Sequence, residues 1–256
     1  MKSIKITGES VGEILVIPIS KGEHGIVIEA SGFKFDAKAL SSALAKIGAT
    51  GELDEVIKIP ATQPALIVTT GLGKSAKSYD PETYRRAAGA AARSLSGEKS
   101  ATFAFGVKSS AQLAAVTQGA ALGAYVFSEF KATSKKTLKA QLESAIIHSS
   151  LAGSVDTKAI IKDAEVLSKY TYLVRDLINT PPSHLTPVEF VNRMKKIGTS
   201  LKLKVEIFDE KVLKNKGFGG ITAVGQGSAN PPRLLRISYS PTKAKKRYAL
   251  VGKGIT

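Results

Sequence analysis

The sequence predicts an α/β protein made of two successive α/β units. Short β-branched runs alternate with helix-period segments through the first half. A helix-period segment of about five turns follows Asp156, and the alternation then starts again. With 256 residues, 43% of them hydrophobic, the chain can bury one large core or two modest ones.

In chain order, Glu13 to Pro18 and Gly25 to Ile28 are β-branched strand runs. Asp36 to Ile47 sets Ala39, Leu40, Leu44 and Ile47 near one face of a helix. Strand character returns at Val56 to Ile59 and at Ala65 to Thr69, the second ending at Gly71-Leu72-Gly73. Pro81 suits the first position of a helix reaching about Arg93, where a missing N–H costs no intrahelical bond. The apolar run Ala101 to Val107, an alanine-rich helix from Ser110 to about Phe127 and a strand over Leu142 to Ile147 complete a mostly parallel sheet between helices.

Composition changes at Gly153 to Asp156. From Thr157 to about Ile178, Ile160, Ile161, Val166, Leu167, Tyr170 and Leu173 form one broad apolar stripe, suited to a connector that packs on both neighbours. The adjacent Pro181 and Pro182 force an irregular stretch. Thr186 is the expected N-cap, and Pro187 the first residue, of the next helix. Leu203 to Phe208 reads as a strand, Asp209 to Lys214 as a short helix, and Leu234 to Ser238 and Tyr248 to Val251 as strands. Ligand loops in open α/β sheets lie at the carboxyl ends of strands, and a helix normally closes such a unit. The sequence therefore reads as the front part of a longer protein.

The absence of cysteine excludes disulfides, thiolate metal sites and a cysteine nucleophile. The amino terminus carries Glu9, Ser10 and Glu13 where a signal peptide needs an apolar run. No stretch approaches about eighteen uninterrupted apolar residues, so neither secretion nor a membrane span is expected, and the reading is cytoplasmic. The formal charge of +16 favours polyanionic partners. Zinc-finger spacing, an RNP-like strand and a basic region leading into heptads are all missing.

Several local patterns invite chemistry and do not carry it. Gly71-Leu72-Gly73-Lys74 lacks the spacing of a dinucleotide fingerprint and reads as a tight turn. Gly252-Lys253 fails as a Walker loop, with Arg247 and Gly254 at the defining positions. His24, His148 and His184 stand far apart without a second histidine at ligand spacing. Ser96-Gly97-Glu98-Lys99 has a serine–lysine spacing but no companion motif. Gly225-Gln226-Gly227-Ser228 ahead of Pro231-Pro232 marks backbone running close to something.

The wording of the second half is more specific. Val174-Arg175-Asp176-Leu177-Ile178-Asn179-Thr180-Pro181-Pro182, followed by Leu185-Thr186-Pro187, resembles the domain-junction signature of the leucyl aminopeptidase family of cytosolic metallopeptidases. Val205-Glu206-Ile207, Gly217-Phe218-Gly219-Gly220, Ala223 to Ser228 with Pro231-Pro232-Arg233, and Val251-Gly252-Lys253-Gly254-Ile255-Thr256 agree with it in order. Arg85-Arg86-Ala87-Ala88-Gly89 and Gly119 to Tyr125 are similar but less specific.

The resemblance implies a macro-domain-like amino-terminal domain over residues 1–155 and a linking helix over 156–180. The start of a zinc-exopeptidase-like catalytic domain would then occupy 181–256. It further implies release of amino-terminal residues such as leucine from peptides by two divalent metals, manganese or zinc. A bicarbonate could relay a proton, and assembly would be as a homo-hexamer. Lys253 is the one residue that matches a metal-site position, and an amine donates to a metal only when deprotonated. The other ligands and the catalytic residues would lie past residue 256, so residues 1–256 alone are expected to be inactive. Rival readings are a DNA-binding or regulatory protein using the basic surface, a macro-domain-type nucleotide binder, and an inactive assembly subunit.

Overall fold

The computed structural model describes residues 1–9, 12–30 and 35–254, apart from the side chain of residue 135. The chain divides into two compact units, Met1–Asp176 and Leu177–Thr256.

The first unit is built on a seven-stranded sheet. At its centre β2 (Ile14–Gly22) runs parallel to β5 (Leu66–Lys74) on one side and β6 (Ser100–Ala104) on the other. β7 (Ser144–His148) continues the parallel set beyond β6, and β1 (Ser3–Thr7) forms that edge. β3 (Gly25–Ile28) folds back antiparallel on the end of β2, and β4 (Val56–Pro60) closes the far edge antiparallel to β5. The two-residue alternation of β2 explains the layers. Leu15, Ile17 and Ile19 join a core with Leu40 and Leu44 of α1 (Ala37–Lys46), while Val16 joins the larger core under α2 (Pro81–Ser94) and α3 (Ser110–Gly123). Among the described residues Phe103 and Phe105 are the largest fully enclosed side chains, each stabilising the fold by roughly 1.5–3 kcal/mol relative to exposure.

The helices start where the sequence supplies caps. Asp36 accepts from the Ala39 N–H (2.9 Å), and Asp80 accepts from the Glu82 N–H (2.7 Å) just ahead of Pro81. In α1 only Leu40 and Leu44 of the expected face are buried; Ala39 and Ile47 face solvent. α3 stops at Gly123 rather than near Phe127. Its next residues are taken by tertiary contacts with α4 (Thr157–Asn179), described below. β1 has no strong signal of its own, being a five-residue edge strand that alternates exposed and half-buried positions and is recruited by β7.

β5 also departs from expectation. The Gly71-Leu72-Gly73-Lys74 segment is strand rather than turn. The Gly71 N–H donates to the Glu55 carbonyl and the Gly73 N–H to the Gly51 carbonyl, both at 2.9 Å. The segment around residues 51–55 therefore lies directly on the strand, and a side chain at Gly71 would overlap the Glu52 carbonyl. The space a phosphate loop needs is filled by the protein's own backbone.

A buried phenol, Tyr84, and a half-buried one, Tyr172, tie this unit to pH. Burial pushes Tyr84 up to about 12, with Glu29 and Tyr79 adding to it, and burial pushes Tyr172 of α4 up to about 12 against the opposing pull of Arg175. A folded value above the unfolded one near 10 means that the stabilisation is complete below pH 10 and is lost as pH rises toward 12. Urea midpoints between pH 8 and 11.5 should fall steeply over that window, by roughly 1–2 kcal/mol for each phenol. The Tyr84→Phe/Tyr172→Phe double variant should flatten the fall; an equal slope in the variant would assign it to other groups.

The second unit begins with the end of α4. α5 (Pro187–Ser200) is capped by Thr186, which accepts from the Glu189 N–H (3.3 Å). β8 (Lys204–Phe208) pairs antiparallel with β9 (Leu234–Ser238). Between them lie α6 (Glu210–Asn215), capped by Asp209, and α7 (Gly219–Gly225), a helix with no counterpart in the sequence reading because three of its seven residues are glycines. Gly198 lies flush on Val205, and Gly225 on Pro232, the close approach that its glycine-rich wording implied. No helix is long and apolar enough to cross a membrane among the described residues.

Candidate metal centre

The segments that carry the sequence signature fall into three places. The first is α4. Tyr125, at the end of α3, donates its hydroxyl to Asp176 Oδ1 (2.7 Å), and the Arg175 guanidinium stacks on the Tyr125 ring at 3.8 Å from its centroid. Tyr172 meets that ring edge-on at 5.0 Å and donates to the Ala121 carbonyl (2.5 Å). The Gly119 to Tyr125 wording and the Arg175-Asp176 pair are therefore two halves of one clamp. A charge-assisted hydrogen bond and a cation–π contact hold α4 against α3. Sequence reasoning had both pieces but no signal that they touch. Further back on α4, Val166 and Leu167 of the expected stripe are exposed, and Ile160 packs on the core.

The second place is the β8–β9 pair. Arg236 Nε donates to Glu206 Oε2 across the strands (2.7 Å), and this bond holds the Glu206 carboxyl below the usual carboxylate range. Arg233, from the Pro-Pro-Arg wording, donates to Glu210 at the start of α6 and is only 15% exposed. Phe218, of the Gly-Phe-Gly-Gly wording, meets Phe208 edge-on at 6.1 Å. These residues are structural ties of the second unit.

The third place holds Lys253. The expected strand Tyr248 to Val251 is not one: residues 242–254 follow no helix or strand, with Tyr248 84%, Leu250 100% and Val251 96% exposed. A strand needs a neighbour to satisfy its backbone groups, and no described strand pairs with this run. Gly252, Lys253 and Gly254 are likewise exposed, and Ile255 and Thr256 of the motif lie outside the described residues. Among the described residues no group of three or more His, Cys, Asp or Glu could hold a metal ion. A divalent ion needs several donors at fixed geometry, so Lys253 alone does not fit a metal pair.

The other candidates resolve as structure. His24 sits on the turn between β2 and β3, His148 is buried at the end of β7, and His184 lies beside Ser183, with Oγ and Nδ1 3.1 Å apart. Ser96 donates to the Arg93 carbonyl (3.1 Å) beyond α2, a helix-end bond. At the carboxyl ends of the central strands, Ser20 and Tyr79 both donate to Glu29 Oε1 (2.6 and 2.7 Å). Gln112 Nε2 donates to the Tyr79 carbonyl (3.0 Å). These polar groups are spent on one another rather than left for a nucleotide.

Comparison with known proteins places these features together. The amino-terminal domain of the cytosol aminopeptidase family matches residues 28–134, and the catalytic domain of the same family matches residues 172–256. A probable cytosol aminopeptidase of Corynebacterium diphtheriae is 40% identical over 250 residues, covering 95% of this chain and 48% of its own. One from Leifsonia xyli subsp. xyli is 38% identical over 247 residues, covering 95% and 48%. Among solved structures, a tomato leucine aminopeptidase variant superposes with a TM-score of 0.77 at 24% identity, over 96% of this chain and 52% of that one. The bottromycin maturation enzyme BotP in complex with Mn gives 0.66 at 23%, over 91% and 46%. The chain spans about half the length of the curated relatives it matches. With an α/β amino-terminal domain followed by catalytic-domain sequence, both matched to one family, the chain belongs to the cytosol aminopeptidase family.

Proposed function

We propose that the protein containing this chain is a metal-dependent aminopeptidase of the cytosol that releases amino-terminal residues, leucine-like ones preferred, from peptides. The observation that carries the reading is the match of residues 172–256 to the family's catalytic domain, with Lys253 on its Gly-Lys-Gly wording. The manganese in the BotP structure supports a divalent-metal reading, manganese or zinc, for the metal pair that supplies the hydrolytic chemistry. A bicarbonate partner, a hexameric assembly and a macro-like character of residues 1–155 belong to the same reading. Within it, residues 1–180 form the accessory domain and linking helix, and residues 181–256 contribute Lys253 to a centre whose other donors are not among the described residues.

The test is hydrolysis of leucine p-nitroanilide by the full-length gene product after chelation and after Mn²⁺ or Zn²⁺ is restored, with residues 1–256 run in parallel. Metal-dependent turnover by the full-length protein and none by residues 1–256 is the expected result. No turnover by the full-length protein on any aminoacyl p-nitroanilide would remove the peptidase reading, and turnover by residues 1–256 would remove the assignment of the missing donors.

A further inference from the structure

A concave feature of the first unit lies over α2 and α3. It is a cleft of about 450 Å³ lined by four arginines, Arg85, Arg86 and Arg93 of α2 and Arg175 of α4, together with Asp54 and Glu82. Helical spacing explains how it forms. Arg85, Gly89 and Arg93 follow one another at four-residue intervals and share a face, so two arginines flank a position with no side chain. Opposite Gly89, α3 presents Gly119 and Gly123. A Cβ at Gly119 would overlap the Arg85 carbonyl, and one at Gly123 the Gly89 carbonyl. The helices therefore meet backbone to backbone, and the cleft has a floor of peptide groups and walls of guanidinium groups.

Its charges do not cancel. Arg85 pairs with Glu82 and Arg86 with Asp54. Arg93 and Arg175 reach no carboxylate within salt-bridge distance among the described residues. Arg93 is exposed at the rim, whereas Arg175 is half-buried and fixed by its stack on Tyr125 and a long bond to the Leu122 carbonyl (3.4 Å). A fixed guanidinium loses little freedom when it binds, and its planar fork matches phosphate oxygens. Confining two uncompensated cations in a concavity concentrates the field there. The volume lies within the roughly 300–1,000 Å³ typical of small-molecule sites, more than a single phosphate fills. Among the described residues no aromatic ring lines the cleft, so none is offered to stack a base.

We propose that this cleft binds a small molecule carrying two phosphate groups, with Arg93 and Arg175 as the donors that no internal carboxylate satisfies. The inference is independent of the peptidase reading.

Calorimetric titration of the full-length protein with fructose 1,6-bisphosphate as the probe tests it, using Arg93→Gln and a charge control, Lys158→Gln/Lys162→Gln on the exposed side of α4. Expected is a Kd below about 1 mM that Arg93→Gln weakens at least about tenfold with an unchanged Tm, while the lysine control moves it less than about twofold. No binding at millimolar probe would overturn the proposal, as would equal weakening by the lysine control, which would reduce the effect to diffuse surface charge. Duplex DNA binding that depends on Arg93 in the absence of probe binding would overturn it in favour of a nucleic-acid surface.

Discussion

Replacing Lys253 with Met in the full-length protein should lower kcat/KM for a leucine substrate by on the order of a thousandfold and leave Tm unchanged. In this chain the side chain supports nothing: it is exposed, on a segment without helix or strand, and makes no salt bridge among the described residues. A large activity loss with intact stability is therefore the signature of a group used only when the centre is assembled. Lys253→Arg separates two versions of that role. An amine can lose its proton and donate a lone pair, whereas a guanidinium stays charged and has no lone pair to give. If Lys253 is a ligand, Arg should be as damaging as Met, and metal content measured by mass spectrometry should fall in both. Activity retained in Lys253→Arg would show that the position supplies positive charge and would remove the ligand assignment.

Gly71→Ala should destabilise the first unit by about 3 kcal/mol, read from the urea midpoint, and lower the yield of folded protein. A methyl group there meets the Glu52 carbonyl with no room to spare, and the obstacle is backbone, which cannot rotate away as a side chain could. Relief requires lifting the 51–55 segment off β5. That would break the bonds from the Gly71 N–H to Glu55 and from the Gly73 N–H to Gly51, and would disturb the Glu55 carboxylate where it accepts from the Thr50 and Gly51 N–H groups. Gly48→Ala serves as a comparison: it has a positive φ of 69° but nothing within 4 Å of the added carbon. Its cost should be only the backbone strain of an alanine in that conformation, about 1 kcal/mol. Gly71 has no positive φ of its own, so a loss no larger than that at Gly48 would mean that the 51–55 segment yields to the methyl group and that the overlap with Glu52 carries no large cost.

Most of the secondary structure was legible because its causes are local. The caps Asp36, Asp80, Thr186 and Asp209 mark helix starts by spacing alone, and Pro81 and Pro187 fall at first positions where no hydrogen bond is lost. The β-branched runs that became β2, β3 and β4 owe their legibility to the same period of two that sorts Leu15, Ile17 and Ile19 from Val16. The resemblance in the second half was carried by wording, and the arginines, prolines and glycines quoted there have identifiable tasks: Arg175 on Tyr125, Arg233 on Glu210, Gly225 against Pro232.

What only the tertiary structure decided depends on partners far away in the chain. Tyr248 to Val251 has strand composition and no described neighbour to pair with, whereas Ser3 to Thr7 has weak composition and becomes a strand because β7 offers it a ladder. Gly71 to Lys74 has the glycines that permit a turn; it is a strand because residues 51–55 require bare backbone beneath them. The arginine cleft was equally hidden. Arg85, Arg86, Arg93 and Arg175 are spread over ninety positions of sequence, and they converge because Gly89, Gly119 and Gly123 let two helices touch without side chains between them. Local sequence determines which segments coil and which extend, since torsions, caps and periodicity act over a few residues. Long-range packing determines which strands find partners and which charges meet, because those energies exist only once distant segments are in contact.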